Sequence, residues 1–227
     1  LEKEMPAVAI FDIDGTLVDT NYQHALAWYR AFRSKGVVIP IWRIHRAIGI
    51  GSDRVVALLA GEEIEARFGE ALRAAEGAEY QEMIDEVEPM KGAHELLEEL
   101  KQAEHTIILA SSAEQKDAER YIDLLDVEEF VDAYTTSADV AATKPEPDIV
   151  NAAIQKAGGG TAVMIGDSTW DCKAATAASV PSIGVLTGGF SEQELTEAGA
   201  SIVFDSVDHL RSHLHSTSLS ATVENRK

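Results

Sequence analysis

The sequence predicts an α/β fold: a doubly wound, Rossmann-like parallel sheet with an inserted all-α helical cap. Two observations predict it. Short apolar runs at 7–11, 106–110 and 162–165 alternate with stretches whose apolar residues recur at helical spacing, the pattern that builds a parallel sheet. Residues 21–88, between the first run and the others, carry helical patterning and no strand signal. They form a block large enough to be a separate unit.

Each element follows in order. Ala7-Val8-Ala9-Ile10-Phe11 is too short for a typical helix and reads as a buried parallel strand, broken by Gly15. Residues 21–35 form a helix with Ala25, Leu26, Trp28, Tyr29 and Phe32 on its apolar face, stopped by Gly36. Pro40 opens a short helix through 47. The turn Ile48-Gly49-Ile50-Gly51 leads to Ser52 or Asp53 as the cap of a helix through 60. Residues 62–87 read as one long acidic helix that Gly77 can break. Residues 92–103 are an amphipathic helix on Leu96, Leu97 and Leu100, and 106–110 a second buried strand. Helix 114–125 and a weaker strand at 131–135 come next. Pro147 opens a helix through 157, and Gly158-Gly159-Gly160 ends it. Strand 162–165, helix 171–179, strand 182–186, helix 191–198, strand 202–204 and helix 207–213 complete the core. The expected division is a core of 5–19 and 89–214, a cap of 20–88, and a Ser/Thr-rich tail, 215–227, with too little to bury to be held in place.

Composition narrows the function. Nineteen Lys and Arg against 39 Asp and Glu give a net charge of −20, which argues against nucleic acid or an anionic membrane as partner. The one cysteine, Cys172, excludes an intramolecular disulfide and suggests a reducing compartment. No run reaches the ~18 apolar residues of a membrane span, and residues 1–5 have no apolar signal core. The expected location is the cytoplasm, and the expected state a monomer or weak dimer.

The chemistry collects at strand ends, where open α/β sheets bind their ligands. The first strand runs into Asp12-Ile13-Asp14-Gly15-Thr16. If it persists to Asp14, its period of two puts both acids on one side. Two such acids repel, and a bound Mg²⁺ would resolve the conflict; the stretch alone also reads as a strand end with two solvated acids. The second strand ends at Ser111-Ser112. The loop beyond the weaker strand carries Lys144, biased to extended backbone by Pro145. A later strand ends in Gly166-Asp167-Ser168-Thr169-Trp170-Asp171. Four carboxylates, a hydroxyl and a lysine suit an anion beside a divalent cation, with phosphate the obvious anion.

These four segments, in this order, resemble the four motifs of the haloacid dehalogenase (HAD) superfamily. Asp12-x-Asp14-Gly15-Thr16 resembles the first motif, Ser111 after its strand the second, Lys144 the third and Gly166-Asp167-x-x-x-Asp171 the fourth. The insert resembles the helical cap of the subclass containing phosphoglycolate phosphatase and β-phosphoglucomutase. The resemblance implies that Asp12 is a nucleophile that becomes an aspartyl-phosphate and Asp14 the general acid and then base. Mg²⁺ is held by Asp12, the carbonyl of Asp14 and Asp167, with Asp171 as ligand or outer partner. Ser111, with Ser112 beside it, and Lys144 bind phosphoryl oxygens.

Asp14, absent from the superfamily's dehalogenases, favours phosphoryl transfer. Relatives that cleave phosphonates use a cap lysine; here the cap block offers only Lys35, at a helix end. The rival reading is a β-phosphoglucomutase-like phosphomutase. His24 does not discriminate, since the mutase also has a histidine there, but Ser52 stands where the mutase has an arginine. A non-catalytic binding module on the same fold is the reading from another class. Thr16, His24, Ser52 and Arg54 are candidates for substrate contact, with Arg46 also beside the Gly49/Gly51 turn; a structural role for His24 and Arg54 is the alternative. His209, His213 and His215 lack a nearby cysteine or acid cluster and are discounted as a metal site. The expected protein is a Mg²⁺-dependent phosphatase of a small phosphorylated metabolite, phosphoglycolate- or sugar-phosphate-like, whose cap closes over the site.

Overall fold

The computed structural model describes residues 7–111 and 115–220. Its strands are β1 (Val8–Phe11), β2 (Thr106–Ala110), β3 (Ala133–Thr135), β4 (Ala162–Gly166), β5 (Ser182–Val185) and β6 (Ala200–Phe204). They form one sheet in the order β3-β2-β1-β4-β5-β6, with every pair parallel. The chain divides into two compact units. One runs to Val18 and resumes at Pro89, and it holds all six strands; the other is Asp19–Glu88.

The strands are continuous apolar runs because both faces of the sheet are covered. On one face, Val8, Ile10, Ile108, Ala110 and Met164 pack with Ile149, Val150, Ala153, Ala174 and Ala175 from the following helices. The alternate residues, Ala9, Phe11, Ile107, Leu109, Val163 and Ile165, are buried as well. β1 lies at the centre, with β2 on one side and β4 on the other. The connections therefore reverse direction at β1, and the crevice at its carboxyl end is where such sheets bind ligands.

The helices of this unit are α5 (Ala93–Gln102), α6 (Gln115–Leu125), α7 (Asp148–Lys156), α8 (Thr169–Ala177), α9 (Glu192–Glu197) and α10 (Val207–Ser212). α8 starts two residues before the expected 171, because Ser168 caps it. The Ser168 hydroxyl accepts from the Asp171 N–H at 3.4 Å, and the Asp171 carboxylate accepts from the Ser168 N–H and hydroxyl at 3.1 and 2.6 Å. The tail also departs from expectation up to residue 220. Leu219 is 1% exposed, and its carbonyl faces the His105 ring at 3.0 Å.

The second unit is helical: α1 (Asn21–Ser34), α2 (Ile41–His45), α3 (Ser52–Ala60) and α4 (Glu62–Gln81). Ser52 is the first residue of α3 and not its cap; Gly51 takes that position, without a side-chain cap bond. The expected helix through 87 stops at Gln81, and a 3₁₀ turn, Ile84–Glu86, follows. Met83, Ile84 and Val87 are all buried, so packing ends the helix where local propensity would continue it. Gly77 does not break it. Trp28 and Phe32 belong to the core of this unit. Among the described residues, no helix is long and apolar enough to cross a membrane.

Candidate active site

Asp12 follows β1 directly, and its N–H still donates to the Ile165 carbonyl of β4 at 2.9 Å. The strand does not persist to Asp14, so the two acids are not related by a strand's period. Instead the chain coils into a single turn. The Ile13 carbonyl accepts from the N–H groups of Thr16, Leu17 and Val18 at 3.1, 2.9 and 3.1 Å, and Gly15 takes a φ of 75°, which glycine adopts without strain. Ile13, Leu17 and Val18 anchor the turn in the core at 0% exposure. Asp12 is buried and Asp14 is half-buried, and Asp14 forms an isolated bridge to Val18.

The strand ends bring the carboxylates of Asp12, Asp167 and Asp171 within 4.8 Å of one another, all buried. Lys144 enters this cluster. Its Nζ lies 2.5 Å from Asp12 Oδ1 and 2.7 Å from Asp171 Oδ1, with the side chain 1% exposed. A lysine expected to project from a strand-end loop is thus drawn wholly inside by two counter-charges. Thr16 faces the same cluster, donating to Asp167 Oδ1 at 3.0 Å. Gly166 has no room for a side chain: a Cβ there would fall 2.5 Å from the Cβ of Asp171.

Three carboxylates against one ammonium leave the cluster negative in a buried site, where unpaired charge is costly. Burial drives the Asp12 carboxyl well above the ordinary carboxylate range; Lys144 opposes the rise, and Asp171, Asp167 and Asp14 add to it. Burial also works against the Lys144 ammonium, but Asp12 and Asp171 outweigh it and hold its pKa above the usual lysine value. Asp12 Oδ2 is buried and has no hydrogen-bond partner among the described residues. An orphaned carboxylate oxygen beside two further acids is a donor set that fits a divalent cation with a preference for hard oxygen ligands.

The remaining sequence candidates fall as follows. Ser111 is buried directly after β2. Ser112 lies outside the described residues. Asp14, expected to lend its carbonyl to a metal, has no carboxylate in the three-acid cluster. His24, Ser52 and Arg54 belong to the helical unit. There the His24 ring stacks on Tyr80 at 3.9 Å between centroids, and its Nδ1 lies 2.9 Å from Glu76 Oε1. Ser52 is exposed and Arg54 half-buried. Cys172 is buried; burial and the nearby Asp171 push its thiol up to about 12, which leaves it protonated and a poor nucleophile. Ser168 has no role in the four motifs, whereas Gly166 opens the fourth. The Ser-x-x-Asp spacing of a helix cap is the signal for Ser168; for Gly166 the motif is the signal, and the close approach of Asp171 is its physical reason.

Comparison with known proteins bears on this arrangement. The phosphoglycolate phosphatase of Agrobacterium fabrum is 30% identical over 217 residues, covering 89% of this chain and 90% of its own. The crystal structure of a hydrolase from Pseudomonas syringae superposes with a TM-score of 0.87 at 32% identity, covering 92% of this chain and 98% of that one. That of β-phosphoglucomutase from Clostridium difficile reaches 0.79 at 22% identity, covering 91% and 93%; at that identity the likeness concerns the fold. The model of the haloacid dehalogenase-like hydrolases matches residues 6–179, a span that includes every strand end just described up to Asp171. The chain belongs to that hydrolase family.

Proposed function

We propose that the protein is a Mg²⁺-dependent phosphatase that hydrolyses a small phosphorylated metabolite, phosphoglycolate- or sugar-phosphate-like, through an aspartyl-phosphate on Asp12. The observation that carries the reading is the buried cluster of Asp12, Asp167 and Asp171 with Lys144 inside it. The 30% identity to a protein named phosphoglycolate phosphatase supports the phosphate-ester class.

An anionic nucleophile cannot approach a phosphate dianion unless positive charge screens the repulsion. Asp12, Asp167 and the Asp14 carbonyl would hold Mg²⁺, with Asp171 as ligand or outer partner, and Mg²⁺ bound there would supply that screening and polarise a phosphoryl oxygen. Lys144 adds a fixed ammonium, and Ser111 a hydroxyl at the neighbouring strand end. Lys144 holds Oδ1 of Asp12. A carboxylate oxygen of Asp12 attacks phosphorus, and the bond from phosphorus to the ester oxygen breaks. Asp14 gives its proton to the departing alkoxide. As a carboxylate, Asp14 then takes a proton from water, the resulting hydroxide attacks phosphorus, and the bond to Asp12 breaks with release of inorganic phosphate.

The test uses an aryl phosphate and a panel of phosphorylated two- to six-carbon metabolites. Wild type should release phosphate only with Mg²⁺, and folded Asp12→Asn should fall by at least about 10³-fold, the scale of losing a covalent nucleophile. Substantial turnover by Asp12→Asn would sink the nucleophile assignment. A hexose 1-phosphate converted to its 6-phosphate isomer without free phosphate would favour a mutase instead.

A further inference from the structure

The glycine pair after β5 has no part in the chemistry above, yet its turn reaches two of the segments that carry it. Thr187 and Gly188 lie in the 3₁₀ turn Leu186–Gly188. The Thr187 hydroxyl donates to the Gly15 carbonyl at 2.6 Å, across 172 residues of sequence. Gly15 shares the turn after β1 with Thr16, whose hydroxyl in turn donates to Asp167 Oδ1. Gly188 approaches the same aspartate from another side. A Cβ on Gly188 would fall 2.0 Å from Asp167 Oδ2 and 2.6 Å from the Asp167 carbonyl. Gly188 is not among the glycines with left-handed backbone, unlike Gly189 at φ 73°. Its missing side chain therefore answers to proximity and not to conformation.

We propose that Thr187 and Gly188 are positioning residues for the divalent cation: Thr187 holds the turn after β1 in register, and bare Gly188 leaves Asp167 the space its ligating carboxylate needs. The inference rests on the Mg²⁺ reading above. Asp167 is approached at both oxygens. Thr16 sets Oδ1, and the backbone at Gly188 bounds Oδ2. A carboxylate held in this way loses little freedom when it takes up a cation. Loss of the Thr187 hydroxyl frees the Gly15 carbonyl and, with it, the peptide that carries Thr16. Groups that orient metal ligands from behind commonly alter metal affinity 10- to 100-fold when removed.

Three substitutions and one probe test this. Mg²⁺ alone, without substrate, is titrated calorimetrically into wild type, Thr187→Val, Thr187→Ser and Gly188→Ala, with circular dichroism and urea unfolding as controls of folding. Thr187→Val keeps the shape of the side chain and should weaken Mg²⁺ about tenfold. Thr187→Ser, which keeps the hydroxyl, should stay within about twofold of wild type on the same reasoning. Gly188→Ala should weaken Mg²⁺ by about 10- to 100-fold; if it does not fold, the Thr187 pair decides. In steady-state assays, saturating Mg²⁺ should restore kcat of Thr187→Val with KM for the ester unchanged. A folded Thr187→Val with wild-type Mg²⁺ affinity overturns the proposal, as does an equal loss in Thr187→Ser or a wild type that binds no Mg²⁺. A wild type that binds Mg²⁺ but releases no phosphate from any ester, with the expected ranking of variants, overturns the phosphatase reading and supports this one.

Discussion

At Lys144 a full positive charge sits inside the protein between two carboxylates. Its value lies in what it prevents: without it, Asp12 and Asp171 face each other as buried carboxylates. Lys144→Met keeps most of the length and volume and removes the charge. The metal-free variant should lose about 3 kcal/mol of stability, the scale of breaking one side of a buried ion pair, and Mg²⁺ should recover part of it by binding the folded state alone. Urea unfolding with and without Mg²⁺ checks both; an unchanged midpoint in metal-free buffer would contradict it. Only half of this was legible in the sequence. A lysine before proline on a strand-end loop signals a group presented by irregular backbone. Its burial is invisible there, because Asp12 lies 132 residues away in the chain.

Among the elements, the short 3₁₀ turn Ser137–Asp139 leads from β3 toward the Lys144 loop. Asp139 closes it, accepting from the Thr136 N–H at 2.8 Å and the Thr136 hydroxyl at 3.1 Å, and pairs with Lys156 at the end of α7 at 2.9 Å. The hydrogen bond from Lys156 is the main cause that holds the Asp139 carboxyl below its ordinary value, joined by the two Thr136 bonds and opposed by slight burial. A carboxyl whose pKa falls on folding stabilises above its unfolded pKa, and that stability is lost as pH drops through the folded value. Asp139→Ala should therefore cost about 1 kcal/mol at pH 7, the worth of a cap with a half-exposed ion pair. The gap to wild type should narrow as pH falls below about 4. Denaturation midpoints from pH 7 to pH 3 would show it; a gap that widens in acid would contradict it. The same scale shows where propensity misleads. α8 starts at Thr169 because Ser168 and Asp171 cap each other, and α4 ends at Gln81 because Met83, Ile84 and Val87 beyond it are buried.

For the molecule as a whole, the sheet order sets the site, and the segment that carries Leu219 packs on the strand unit. His105, 2% exposed, precedes β2, and its ring faces the Ala7 carbonyl at 2.8 Å and the Leu219 carbonyl at 3.0 Å. Leu219 is thereby seated on the strand unit it follows. Ending the chain at Ser216 should cost about 2–4 kcal/mol, the range for losing a buried leucine, and leave the Mg²⁺ titration unchanged. Urea unfolding of the shortened chain tests this, and an unaltered midpoint would show that the end is held without effect on stability.

The sequence by itself determined the class of sheet and the kinds of group at its edge. Buried parallel strands must be continuous apolar runs, and the alternation of such runs with amphipathic helices admits few architectures. Acids and a hydroxyl placed immediately after those runs, and a lysine in the loop beyond one of them, could be assigned to one end of the sheet for the same reason. Tertiary structure alone decided which groups touch. It drew Lys144 between Asp12 and Asp171, set Thr16 on Asp167, and pressed Gly188 against Asp167, which no spacing in the chain connects to it. Periodicity reports the face on which a residue lies, but distances among loops depend on the strand order that brings their ends together, and that order is written in long-range packing and not in any local pattern.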